Sequence, residues 1–108
     1  MSNEKYKKEV DRLIKVVKSE YAPEKIILFG SYVSGKITKH SDVDFFIVKK
    51  TTMPRIERQR KVSSIIKDRK IPVDIIVLTP KEFQNRAKIR NSFVYNIVNT
   101  GKLVYEKK

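Results

Sequence analysis

The chain has 108 residues, enough for one modest hydrophobic core and too few for a second, so a single domain over residues 1–108 is expected, with no room for a separate substrate module. It contains no cysteine and one histidine, His40, which excludes a disulfide framework, a thiolate metal site and an imidazole cluster, and leaves oxygen to hold any metal. Its 25 Lys and Arg against 12 Asp and Glu give a net charge of +13, which favours polyanionic partners: nucleotides, nucleic acid or an acidic protein.

The opening MSNEKYKKEVDRL is charged throughout. No apolar run approaches the roughly 20 residues needed to span a bilayer, so a cytoplasmic, soluble protein without membrane contact is expected. From about Asn3 to Tyr21 the apolar residues Tyr6, Val10, Leu13, Ile14 and Val17 recur at helical spacing, with Pro23 just beyond, and predict an amphipathic helix. KIILFG, ending at Gly30, is a short apolar run rich in β-branched residues and predicts a buried strand. VDFFIV, through Val48, reads the same way, as does VDIIVL, from Val73 to Leu78 between Pro72 and Pro80.

Between the second and third strands, PRIERQRKVSSIIKDR opens with Pro54 in a position suited to a helix start and places Ile56, Val62, Ile65 and Ile66 on one side, which predicts a crossover helix. After Pro80, Phe83, Ala87, Phe93, Val94, Ile97 and Val98 predict one or two helices stopped at Gly101, and KLVYE closes the chain as a strand. The order gives an α/β or α+β fold, a small mixed β-sheet flanked by helices. No repeat or low-complexity segment interrupts it.

The stretch LFGSYVSGKITKHSDVDFFIV, residues 28 to 48, carries the chemistry. Residues two apart on a strand share a face, so Asp42 and Asp44 project together. A helical crossover makes the second and third strands parallel, and if they are neighbours their starts share one sheet edge, where Asp74 joins the pair. An antiparallel first strand brings Gly30-Ser31 to that edge as well. Clustered carboxylates repel one another unless a cation compensates, and hard divalent ions with oxygen ligands, Mg²⁺ or Mn²⁺, suit them. Two such ions form the recurrent clamp for in-line displacement at phosphorus, while a glycine lets backbone approach a phosphate and a serine hydroxyl adds a donor. Gly-Ser alone is a commonplace turn, and each aspartate alone reads as a cap, a surface residue or an ion pair. Together, Gly-Ser followed after ten residues by Asp-x-Asp arises by chance in a chain of this length on the order of once in a thousand.

GSYVSGKITKHSDVD resembles the Gly-Ser, ten residues, Asp-x-Asp signature of the DNA polymerase beta-like nucleotidyltransferase superfamily, and VDIIVL resembles its strand bearing the third carboxylate. The short chain and the terminal GKLVYE resemble more narrowly the minimal nucleotidyltransferases, the MntA-type antitoxins partnered with HEPN-domain toxins. The resemblance implies Mg²⁺-dependent transfer of AMP from ATP to a hydroxyl, with release of pyrophosphate; in such pairs the hydroxyl is a tyrosine of the HEPN ribonuclease. It further implies that Asp42 and Asp44 ligate the ions on the triphosphate. Asp74 would complete the ion at the acceptor hydroxyl and serve as its base, and Gly30 and Ser31 would hold the β- and γ-phosphates. One departure stands out: the family often continues the turn with Ala-Arg, where this chain has Val33-Ser34, leaving Lys36 as the candidate cation.

Other functions compete. A binding antitoxin would mask its partner without chemistry, in a homo- or hetero-oligomer. A small-molecule nucleotidyltransferase would need an acceptor domain for which the chain has no length. A nucleic-acid binder would use the charge and aromatic residues such as Tyr32, Phe83 and Tyr95, but no recognition motif accompanies them. Phe45, Phe46, Phe93 and Tyr105 are assigned to the core.

Overall fold

The computed structural model describes residues 3–30, 43–90 and 92–108. Four helices and four strands occupy them: α1 Asn3–Tyr21, β1 Lys25–Phe29, β2 Val43–Val48, α2 Arg55–Ile65, β3 Val73–Leu78, α3 Pro80–Ala87, α4 Phe93–Thr100 and β4 Lys102–Glu106. The sheet order is β3-β2-β1-β4. β2 and β3 run parallel, and β1 is antiparallel to both β2 and β4, so the sheet is mixed as expected.

Strand alternation sends side chains to two different cores. On one face Ile26, Leu28, Val43, Phe45, Ile47 and Val77 pack with Tyr6, Val10, Leu13 and Val17 of α1 and with Val62 and Ile66 at α2. On the other, Ile27, Phe46, Val48 and Leu78 pack with Val94 and Ile97 of α4 and with Phe83 and Ala87 of α3. The central strand β2 is covered on both faces, which is why it reads as a continuous apolar run broken only by Asp44.

Two elements depart from the sequence reading. In α2 the inward stripe is Arg58, Val62 and Ile66, four residues apart, while Ile56 is 57% exposed. The Arg58 guanidinium is buried because every direction it points offers an acceptor: it donates to the carbonyls of Met53 at 2.7 Å and Val77 at 3.3 Å and to Glu82 Oε1 at 2.8 Å. Gln59 Nε2 donates to the carbonyl of Ile75, so two carbonyls on the outer edge of β3 are closed by side chains of α2. After Pro80 the segment is two helices, each with its own cap. Thr79 Oγ1 accepts from the amide of Glu82 while Glu82 Oε1 accepts from the amide of Thr79, a reciprocal capping box at α3. Ser92 Oγ accepts from the amide of Tyr95 and donates to the carbonyl of Arg86, starting α4 and tying it to α3. Phe93, expected inside, is 52% exposed, and Val98 of the same helix is 49% exposed.

α1 ends with Ala22 in the left-handed region, φ 51°, where Lys49 Nζ donates to its carbonyl at 3.0 Å. α4 does end at Gly101, but with an ordinary φ of −78°, so that glycine serves space and not handedness.

Candidate active site

The site forms where β1 ends and β2 and β3 begin. Phe29 is paired with Asp44 across the antiparallel ladder, and Asp44 is paired with Asp74 across the parallel one. Adjacent strands lie about 4.8 Å apart, so the two carboxylates leave the backbone side by side. Because Val43, Phe45, Val73 and Ile75 turn toward α1 and α2, alternation puts Asp44 and Asp74 on the face of α3 and α4. Asp44 is half-buried and Asp74 is exposed.

Gly30 follows β1 directly and has φ 100°, a conformation that L side chains rarely adopt. Its residue type is therefore dictated by the backbone as well as suited to close approach of a ligand. Gly30, Asp44 and Asp74, three of the five residues singled out in the sequence, thus meet at one sheet edge. The other two, Ser31 and Asp42, lie outside the described residues, as do Tyr32, Val33, Ser34, Lys36 and His40.

A cleft of about 490 Å³ opens over the pair. Besides Asp44 and Asp74, its walls include Gln59 and Ser63 from α2, Arg69 from the turn after it, and Phe93 from α4. Arg69 donates to the carbonyl of Ile66 at 3.1 Å, which aligns its guanidinium with the end of α2, and it is the one cation among the described lining residues. Phe93 stands edge-on to Phe29, ring centroids 6.0 Å apart at 79°, so its ring is braced by the residue paired with Asp44. The sequence reading missed these walls. Phe93 was placed inside because it belongs to an apolar helical run, although its position just after the capping Ser92 puts it at the exposed start of α4.

Chemically, the edge offers oxygen donors. Among the described residues no three His, Cys, Asp or Glu side chains gather, and the two carboxylates in register are Asp44 and Asp74. A pair of opposed carboxylates with no nitrogen or sulfur donor fits a hard divalent cation such as Mg²⁺ or Mn²⁺, and an exposed carboxylate beside it is placed to take a proton.

Residues 11–108 match the family described as Polymerase beta, Nucleotidyltransferase. The chain belongs to this family, and with it to the enzymes that transfer nucleotidyl groups. A protein of Methanocaldococcus jannaschii named "Putative protein adenylyltransferase" is 32% identical over 78 residues, which are 72% of this chain and 75% of the relative. Among solved structures, a nucleotidyltransferase of Sulfolobus solfataricus superposes with a TM-score of 0.59 at 24% identity, over 93% of this chain and 79% of the other. A structure described as a toxin-antitoxin with AMP-PNP superposes with a TM-score of 0.58 at 23% identity, over 91% and 73%. A toxin-antitoxin MntA-HpeT mutant gives 0.55 at 24%, over 91% and 72%. At these identities the solved structures establish likeness of fold, the polymerase beta-like nucleotidyltransferase fold expected from the sequence.

Among the described residues, no helix is long and apolar enough to cross a membrane.

Proposed function

We propose that the chain transfers AMP from ATP to a hydroxyl of a partner protein, a tyrosine of a HEPN-domain toxin, and so acts as the antitoxin of that pair in the cytoplasm, as a single domain over residues 1–108. The observation that carries this reading is the register pairing of Asp44 with Asp74 beside the left-handed Gly30. The curated relative's name supports a protein acceptor, and the toxin-antitoxin neighbours support a protein partner and ATP.

In this mechanism the backbone at Gly30 and the hydroxyl of Ser31 hold the β- and γ-phosphates, which aligns the α-phosphorus over the aspartates. The acceptor oxygen bonds to that phosphorus as the bond to the bridging oxygen of pyrophosphate breaks, and the hydroxyl proton passes to Asp74. Two Mg²⁺ ions held by Asp42, Asp44 and Asp74 would supply the neutralisation of phosphate charge that such a displacement needs. The rest is positioning by the cleft, and the partner completes the acceptor side.

The test is transfer of α-phosphate-labelled ATP, with Mg²⁺, onto proteins in a lysate of the source organism. Label on one discrete protein is expected with the wild type. Asp44→Asn should lose at least about 10²-fold in transfer with its thermal unfolding still cooperative, whereas Asp74→Asn should keep binding a non-hydrolysable ATP analogue and lose transfer. Label retained at the wild-type rate in either variant would overturn the assignment. No label, with ATP binding intact, would favour an antitoxin that only masks its partner.

A further inference from the structure

The cleft does not end at Phe93. On the far side of that ring a second cavity, about 350 Å³, runs between the sheet and the α3–α4 corner; Phe93 and Ile76 line both. Its floor is apolar, with Phe46 beside Ile76, and its rim carries Ile89, Arg55 and Arg86.

Three features set this rim apart. Ile89 is 59% exposed and Phe93 52%, so two large apolar side chains of one groove face solvent. Arg55 and Arg86 are both exposed, and neither forms an ion pair with any described residue, although acidic neighbours are used elsewhere by Arg12 and Arg58. Finally, they converge from different elements, Arg55 from the first residue of α2 and Arg86 from the last turn of α3, so the fold and not one helix sets the charge. Exposed aromatic and aliphatic side chains beside guanidinium groups are the composition of protein interface cores, and a contiguous exposed apolar patch marks a docking site.

We propose, resting on the adenylyltransferase reading above, that this groove docks the acceptor protein through a segment of apolar and acidic residues flanking the modified hydroxyl. Ile89 and Phe93 receive the apolar side chain, and Arg55 and Arg86 pair with the carboxylates. The hydroxyl then lies on the other side of Phe93, beside Asp74. A neutral nucleobase would leave both guanidinium groups unanswered, and the phosphates are assigned to Gly30, which does not line this groove. The charge complementarity therefore favours an acidic polypeptide segment, and continuity with the catalytic cleft says which part of it: the residues adjoining the target.

The experiment uses synthetic tyrosine peptides in two series, the tyrosine flanked by leucine and glutamates or by leucine and lysines. Transfer from labelled ATP is followed for the wild type and for the Arg55→Glu, Arg86→Glu double variant. The wild type should prefer the glutamate series. In the double variant the peptide KM of that series should rise at least tenfold, the KM for ATP should stay unchanged, and the preference should move to the lysine series. Equal use of both series by the wild type would overturn the groove alone. A rise in the KM for ATP would assign it to the nucleotide, and competition by a single-stranded oligonucleotide at equal potency would assign it to nucleic acid. Self-association of the wild type that the double variant loses, with peptide kinetics unaltered, would assign it to a second copy. A wild type that binds ATP and labels no peptide in either series would overturn the protein-acceptor reading and the groove with it.

Discussion

At the exit of α4, a Cβ on Gly101 would lie 2.6 Å from the carbonyl oxygen of Ile97, 2.8 Å from Cγ2 of Ile27 and 3.0 Å from the carbonyl oxygen of Leu28. Two of those neighbours are backbone, which cannot yield as a flexible side chain does. Gly101→Ala should therefore destabilise the fold by about 1–3 kcal/mol, read as a fall in Tm, although its backbone angles are open to alanine. A different residue sets the response to acid. The buried Glu9 carboxylate is held below its ordinary value of 4.5 chiefly by the hydrogen bond from Arg12, against the upward push of burial and with help from the amide of Lys70. A depressed carboxylate contributes stability above its unfolded-state pKa and loses it as pH falls through the folded value. Glu9→Gln should thus cost about 1–2 kcal/mol at neutral pH, discounted because Arg12 is partly exposed, and the gap to wild type should narrow in urea titrations as the pH falls below the carboxylate's ordinary value. Sequence anticipated the glycine as a helix stop and the meeting of Asp44 with Asp74 at one sheet edge. It did not anticipate why Gly101 is needed, because two of its three close neighbours, Ile27 and Leu28, belong to β1, far away in the chain.

At the scale of elements, Arg58 ties together the entry to α2, the end of β3 and the first turn of α3 through Met53, Val77 and Glu82. Arg58→Met keeps the apolar stem but strands these acceptors, and should cost about 2–3 kcal/mol, seen as a lower urea midpoint with an unaltered m-value. Should the variant prove as stable as wild type, the network would be incidental. β1, β2 and β3 were legible as short apolar runs covered on both faces of the sheet, and α1 from Asn3 to Tyr21 by the helical spacing of the side chains it buries. That Asp44 and Asp74 share one sheet edge followed from the helical crossover, and their register came only with the structure. α2 was misread on Ile56 because apolar periodicity carries no signal for a buried arginine whose partners lie in other elements. The walls of the cleft, Phe93, Arg69 and Gln59, were invisible for the same reason: they are neighbours only after packing.

Across the whole molecule the net charge of +13 sits on a body whose radius of gyration is 13.5 Å. At about 10 mM salt the screening length, roughly 30 Å, exceeds that radius and like charges repel across the entire protein; at about 150 mM it is roughly 8 Å and they do not. The Tm should rise over that range, and a fall would mean that local pairs such as Glu9–Arg12 and Arg58–Glu82 outweigh the global repulsion. Screening also bears on the two margins of the sheet. Along β3, Gln59 and Arg58 occupy the outward carbonyls of Ile75 and Val77, a bolt made of hydrogen bonds that salt leaves in place. Along β4, the opposite margin, Lys102 begins the strand and Lys107 and Lys108 follow it, a guard made only of charge. Among the described residues, strand-to-strand stacking of copies, wherever salt permits it, therefore has β4 as its open margin: two sheets joined there would make a pair of eight strands with β3 at both outer margins, and growth into a fibre would stop at the second molecule.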